Sequence, residues 1–269
     1  MLQNRQPLVS VIIPVYNAAQ TLETSVQSVL DQGYENLQII LMNDGSKDDS
    51  AHVCEALQSQ DLRIEYYAQA NAGCAAARNA ALTHAKGDFY LFIDADDTMT
   101  EGALKKMLGA MYQNDLLIAH YNFVFAGASA DRGLIKENAT YDDRRFMAAL
   151  VKQPGAFYFG ALWNKLYRGD IIRDNGLTFD TRLTWGEDFA FNINYYRFVR
   201  SVRLLPFAVY NYNKSKGGIS VRALSNVGGA CKIKWLLYLN YKRLCVEKGI
   251  WEKQKARIRM YILNVTITN

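Results

Sequence analysis

The sequence predicts an α/β protein built on a mostly parallel sheet flanked by helices. Two observations carry this. Strand-length apolar runs alternate with helix-length segments through residue 113, and the unusual polar residues collect directly after those runs. Such alternation builds a sheet covered on both faces, with ligands at the carboxyl ends of its strands.

Taken in order, the strands are VSVIIPV (9–15), LQIILMN (37–43), RIEYY (63–67) and FYLFI (89–93). Helical periodicity fills 19–31, 48–59, 74–85 and 100–113. PVYN follows the first strand, NDGS the second, NAGCAAARN opens the third helix, and DADD ends the fourth strand. Beyond residue 113 the pattern is less regular. Residues 125–140 read as a variable connection, and YNYNKSKGGISVR (210–222) reads as a strand followed by a glycine-hinged basic loop. From Leu224 two helical patterns are split at Gly249. The first alternates Leu236, Leu237, Leu239, Tyr241 and Leu244 with Lys232, Lys234, Lys242, Arg243 and Lys248. That basic amphipathic extension suits docking onto the preceding domain, a homodimer, or peripheral contact with an anionic membrane. The expected division is 1–222 as one domain with halves 1–100 and 101–222, and 223–269 as a C-terminal helical segment.

A chain of 269 residues, 50% hydrophobic and 21% charged, affords a sizeable core. The net charge of +5 is modest, with Lys and Arg concentrated after residue 232. Cys54, Cys74, Cys231 and Cys245 form no C-x-x-C pair, which favours buried reduced thiols and the cytoplasm over disulfides or zinc. No basic region precedes a long apolar stretch, and no run reaches about 18 apolar residues, so neither secretion nor a spanning helix is expected.

DFYLFIDADDT (88–98) is the most informative stretch, because its apolar run stops at Asp94, Asp96 and Asp97. Carboxylates one residue apart at a strand end point the same way and can share a hard divalent cation together with a diphosphate. An acidic turn capping the next helix is the plainer alternative. In Asn43-Asp44-Gly45-Ser46, Asp44 could accept the imide N–H of uracil, or the segment is a helix entry. Tyr16 and Asn17 could flank a base or simply pack and cap. In the segment opened by Asn71, Arg78 suits a phosphate or a carboxylate partner. Later, Trp185-Gly186-Glu187-Asp188 precedes a helix whose dipole favours acids at its start. His52, His84 and His120 show no metal-ligand spacing and receive no role.

Taken together, VSVIIPVYNAAQTLETSVQSVLDQ, IILMNDGSKDDS, NAGCAAARNAAL and GDFYLFIDADD resemble, in order and spacing, the nucleotide-sugar-binding half of family 2 glycosyltransferases with the Rossmann-like GT-A fold. The resemblance implies an inverting transferase that moves a sugar from a UDP-sugar to a hydroxyl of a glycan, lipid-linked glycan or glycoprotein in bacterial surface-polysaccharide synthesis. It places Val15, Tyr16, Asn17, Asp44 and Asn71 at the nucleoside, with Arg78 nearby. Asp94, Ala95 and Asp96 then lie at the ribose and diphosphate, and Asp94 and Asp96 at a Mn2+ or Mg2+ ion. Lys214, Lys216 and Arg222 could close over the diphosphate. Asp188 is the expected catalytic base, with Glu187 the fallback. Trp163, Asn164, Lys165 and Tyr167 match a W-N-K-L-Y segment that, with Trp185, marks the acceptor side, although such residues also form packed joints.

Two other functions compete. DADDT followed by GDIIRD (169–174) superficially fits a haloacid dehalogenase-like phosphatase, but GDIIRD follows polar NKLYR rather than a buried strand. A non-catalytic nucleotide-sugar-binding module is the second, opposed by the presence of both acid pairs.

Overall fold

The computed structural model describes residues 6–213 and 227–264. Four strands, β1 (Val9–Val15), β2 (Leu37–Asp44), β3 (Ile64–Gln69) and β4 (Phe89–Phe92), pair in parallel in the order β3-β2-β1-β4. The helices α1 (Leu22–Leu30), α2 (Ser50–Gln60), α3 (Cys74–His84) and α4 (Ala103–Met111) connect and follow them, their ends within a turn of the expected positions. β1 is almost wholly apolar because both its faces are covered. Val9, Val11, Ile13 and Val15 join a core with Leu22 and Val26 of α1 and Met107 of α4, whereas Ile12 joins Ala77 and Ala81 of α3 in a second core. The alanines of α3 leave room for that helix to lie close against β1 and β2.

The second half extends the same sheet. β5 (Thr98–Met99), β6 (Leu116–Phe125), β7 (Ala128–Arg132), β8 (Ala139–Asp142), β9 (Lys165–Arg168) and β10 (Ser201–Asn213) continue it as β4-β9-β6-β10-β5. β7 pairs with β6 and β8 with β10. β9 runs antiparallel to both its neighbours, whereas β6 and β10 are parallel. Helices α5 (Asp143–Lys152), α6 (Phe157–Gly160), α7 (Gly169–Asp174), α8 (Glu187–Tyr196), α9 (Val227–Glu247) and α10 (Trp251–Asn264) complete the described elements. Tyr241, Leu244, Cys245 and Ile258 enter the α3-side core with Phe146 and Phe191, so one face of the α9–α10 pair docks on the domain.

Three expectations change. Residues 125–140 contain β7 and the start of β8 rather than a plain connection. Every residue of β7 is exposed, so no apolar alternation marks it. KLYR, polar by composition, is the buried strand β9, with Lys165, Leu166 and Tyr167 at 0% exposure. The late strand begins at Ser201, well before Tyr210. His120 also gains partners, since its Nδ1 lies 3.0 Å from Asp131 Oδ1 and its Nε2 2.9 Å from the Ile135 carbonyl.

Candidate active site

The acids gather at the carboxyl ends of the parallel strands, where a turn rather than strand alternation sets them apart. β4 ends at Phe92, and the Asp97 N–H donates to the Asp94 carbonyl at 3.1 Å, so Asp94-Ala95-Asp96-Asp97 folds back on itself. Asp94 is partly exposed, Ala95 is buried, Asp96 is exposed and Asp97 is buried. Asp97 therefore lies beneath the cluster. Its carboxylate accepts from Tyr210 Oη at 2.8 Å and from the Asn213 N–H at 2.6 Å, and the Tyr210 oxygen accepts the Asp94 N–H at 3.1 Å. Burial, then the charge of Asp94, push Asp97 up to about 8. Desolvation and Asp94 also raise Asp96.

Arg78 joins this turn to the second half of the chain. Although only 3% exposed, it donates from Nη2 to Asp94 Oδ1 at 2.9 Å, and from Nη1 to Asp188 Oδ1 at 2.8 Å and Glu187 Oε1 at 3.1 Å. The Phe179 ring lies 5.5 Å from the guanidinium carbon. Gly186, in the left-handed region at φ +78°, turns the chain so that Glu187 and Asp188 open α8, where the helix dipole favours their charge. Burial raises Asp188 to about 8 despite Arg78, with Glu187 and Asp94 adding to the rise. One cation thus faces three acids.

At the other end, the Asp44 carboxylate is almost fully occupied by the chain. Oδ1 accepts from Gln69 Nε2 and the Ala72 N–H, and Oδ2 from the Gly73 N–H, each at 2.8 Å. Asn71 Nδ2 donates to the Asp44 carbonyl at 3.0 Å. Gly45 permits this closeness, because a Cβ there would meet Asn71 N at 2.7 Å. Asn17 adopts φ +50°, receives the Lys47 N–H on Oδ1 at 2.8 Å and donates its own N–H to Ser46 Oγ at 3.1 Å. Its side chain therefore stitches two loops together. Val15 is fully buried and presents no surface to a ligand, while Tyr16 is 47% exposed. Lys214, Lys216 and Arg222 lie outside the described residues.

The acceptor-side assignments need correction. Asn164 and Lys165 are completely buried and cannot touch an acceptor from these positions. Lys165 Nζ donates to Asn164 Oδ1 at 2.9 Å, to the Tyr158 carbonyl at 3.0 Å and to the Ala161 carbonyl. Burial lowers its pKa well below the ordinary lysine value. Asn192 donates to the Gly160 carbonyl at 2.7 Å and to the Asp188 carbonyl at 3.0 Å, tying this knot to the first turn of α8. Trp163 stacks on Tyr210 with ring centroids 4.6 Å apart and planes 5° apart, so it supports the acid turn from behind. Trp185 packs against Leu183, Ile233 and Leu237. The segment is a packed joint. Tyr210, Asn213 and Asn192 were not singled out in the sequence, because tyrosines and asparagines in a strand or helix carry no motif of their own.

The phosphatase alternative fails on position. GDIIRD forms α7, and its Gly169 N–H donates to the Asp88 carbonyl at the start of β4, the end opposite Asp94.

The carboxylates suit a hard cation only with help. Among the described residues no group of three or more His, Cys, Asp or Glu is arranged to hold a metal. Asp96 makes no side-chain hydrogen bond or ion pair among the described residues, whereas one Asp94 oxygen is engaged by Arg78. Magnesium-type sites often use one or two carboxylates plus substrate phosphates and water, and this donor set fits that pattern.

A sequence model of Glycosyl transferase family 2 matches residues 10–176. The uncharacterized glycosyltransferase EpsJ of Bacillus subtilis is 29% identical over 219 residues, 80% of this chain and 63% of EpsJ, so the chain spans less than two thirds of that relative. TuaG of the same organism, named as a teichuronic acid biosynthesis glycosyltransferase, is 28% identical over 92% of this chain and 94% of its own length. S. aureus TarS 1–349 in complex with UDP-GlcNAc has the same fold, with a TM-score of 0.75 at 21% identity, over 93% of this chain and 72% of that one.

Proposed function

The chain belongs to glycosyl transferase family 2, and on that footing we propose that it moves a sugar from a UDP-sugar to a hydroxyl of a glycan, lipid-linked glycan or glycoprotein, inverting the anomeric centre. The observation that supports this best is the Arg78 hub. Asp94 follows the fourth parallel strand and Asp188 opens α8, yet both bind one guanidinium. Donor-holding and proton-accepting acids must meet in this way if a hydroxyl is to attack a carbon attached to diphosphate.

In the proposed reaction, Asp188 takes the proton of the acceptor hydroxyl as it attacks from the face opposite the diphosphate. Its raised pKa makes it a stronger base than an ordinary aspartate. Asn192 ties the first turn of α8 to the Gly160 and Ala161 carbonyls, and Lys165 shares the Ala161 carbonyl. Asp94 and Asp96 would hold Mn2+ or Mg2+ with the diphosphate, and a bound cation would stabilise the charge of the departing UDP. Asp97, Tyr210 and Trp163 fix the turn that carries these acids.

Support for uridine is narrower. Three hydrogen bonds leave the Asp44 carboxylate about one acceptor position free, enough for a single imide N–H, and UDP-GlcNAc is bound in the structurally similar TarS. The name of TuaG, a teichuronic acid biosynthesis glycosyltransferase, favours surface-polysaccharide synthesis. Cys54, Cys74 and Cys245 are free thiols, in keeping with work in the cytoplasm.

A panel of UDP-sugars with Mn2+ and candidate glycan acceptors tests the reading, with free UDP measured and products identified by mass spectrometry. Release of UDP from at least one donor is expected. Tight nucleotide binding with no release from any donor would instead identify a binding module.

A further inference from the structure

Helix α9 has one covered face and one exposed face. On the inner face Ile233, Leu237, Tyr241 and Leu244 are buried. Leu237 Cδ1 and Ile233 Cγ2 lie 3.4 and 3.8 Å from where a Cβ would sit on Gly186, directly before Glu187 and Asp188. The outer face is also apolar, yet it is uncovered. Trp235, Leu239 and Val246 are 59%, 41% and 53% exposed, and their spacing, with exposed Lys242 between them, forms one helical stripe. Arg243 is exposed beside it.

Aromatic rings and cations intermix along this surface. Trp235 stacks on Tyr238 at 5.3 Å, Tyr238 meets Trp251 edge-on at 6.0 Å, and Lys242 Nζ lies 5.8 Å from the Trp251 ring centre. On α10, Met260 is 53% exposed, and Lys253, Arg257 and Arg259 are exposed. The acids of the pair are already engaged, Glu247 by Arg197 and Arg243, and Glu252 by Lys255. Lys242, Lys253, Arg257 and Arg259 form no ion pair among the described residues, so the surface carries excess positive charge.

That chemistry selects the occupant. A second copy docking through the same face around a two-fold axis would oppose Lys242 and Arg243 with like charges. A layer of anionic headgroups over hydrocarbon instead complements Lys and Arg, and it accommodates Trp and Tyr at its boundary. Among the described residues no helix is long and apolar enough to cross a membrane, so contact would lie along the surface.

We propose that the outer face of α9 and α10 docks on an anionic phospholipid bilayer. Because α9 packs directly on α8, the bilayer would lie roughly one helix spacing, about 10 Å, from the helix that carries Asp188. An acceptor held in that bilayer would then be presented beside the base. Only this last step rests on the proposed sugar transfer.

Co-sedimentation of the full chain with phosphatidylglycerol–phosphatidylcholine vesicles, against pure phosphatidylcholine vesicles, tests docking without reference to catalysis. Binding is expected on the anionic vesicles alone, with release near 1 M NaCl, where the screening length falls to about 3 Å. Lys242→Ala should lower the partition coefficient about fivefold. Trp235→Ser with Leu239→Ser should lower it further, while donor-dependent UDP release is retained. Equal binding to both vesicles, binding to neither, or unchanged binding by the variants would overturn the proposal. So would a dimer in sedimentation velocity that Trp235→Ser dissolves, since the stripe would then be covered by a second copy. Loss of UDP release with vesicle binding intact would count against the transferase reading alone.

Discussion

Arg78 and Asp188 stand 2.8 Å apart, a hydrogen bond that joins the third helix of the parallel half to the first turn of α8. The same guanidinium also holds Asp94 and Glu187. A planar fork can serve both sides at once, whereas a lysine ammonium is a single point charge. Arg78→Lys should therefore leave at least one acid unpaired. Removing one partner of a fully buried pair costs about 3–5 kcal/mol, and these acids retain partial exposure, so roughly 2 kcal/mol is expected here. Thermal denaturation should register a fall of about 4–8 °C in Tm, together with weaker nucleotide binding. An unchanged Tm would mean that the hub does not organise the site.

Asp188→Asn keeps the shape and a hydrogen-bond acceptor for Arg78 but removes the proposed base. Donor affinity, measured by calorimetry, should survive, while kcat falls roughly 100-fold or more. Near-normal turnover in that variant, with loss in Glu187→Gln, would move the role to Glu187.

The raised pKa of Asp188 also makes stability and activity depend on pH in opposite directions. Between about 4 and 8 the folded protein keeps a proton that the unfolded chain has released, from an ordinary value of 3.8 to about 8. The stabilising contribution is complete below the unfolded value and lost as pH rises through 8. Wild-type Tm should fall from pH 6 to 9, while kcat rises as the basic form of Asp188 accumulates. Asp188→Asn should make the Tm profile shallower, the remaining slope coming from Asp97, which burial also raises to about 8, and exceed wild type at pH 9 by on the order of 2–4 °C. A parallel profile in the variant would assign the proton elsewhere.

The first half of the fold was legible because a sheet buried on both faces writes itself as unbroken apolar runs, each followed by the polar residues it delivers to one edge. The second half was not, for separate reasons. β7 is wholly exposed and has no apolar side. β9 hides a lysine in its core, where three oxygen acceptors hold the Lys165 ammonium, so its composition reads as polar. The candidate acids were found by motif, yet their division of labour was not. Asp97 differs from Asp96 only by pointing inward to Tyr210, a residue 113 positions later.

Asp96 offers the cleanest test of cation dependence. It is exposed and its carboxylate has no partner among the described residues, so Asp96→Asn should leave Tm unchanged. Chelation with EDTA should abolish UDP release by the wild type, and Mn2+ should restore it. If Asp96 helps hold the cation, the variant should need far more Mn2+ for half-maximal rate. An identical Mn2+ titration would leave Asp94 as the remaining carboxylate ligand.

In the proposed reading, the choice of nucleoside turns on the last acceptor position of Asp44. An ionised carboxylate can accept from uracil N3–H, whereas cytosine presents a lone pair at N3, so UDP should bind more tightly than CDP. Asp44 also holds the Ala72 and Gly73 N–H groups and Gln69, which makes Asp44→Ala a poor probe, since it would loosen the entry to α3 as well. Asp44→Asn retains one carbonyl acceptor and places an amide where the second oxygen stood. Losing or mispairing one such polar contact costs on the order of 1–3 kcal/mol, so UDP affinity should fall roughly 5-fold to 150-fold and the gap to CDP should narrow. Calorimetric titration of both nucleotides with Mn2+ present separates the effects, because damage to the α3 entry alone would weaken both equally. Equal affinity for UDP and CDP in the unmutated protein would remove the uridine assignment while leaving family membership untouched.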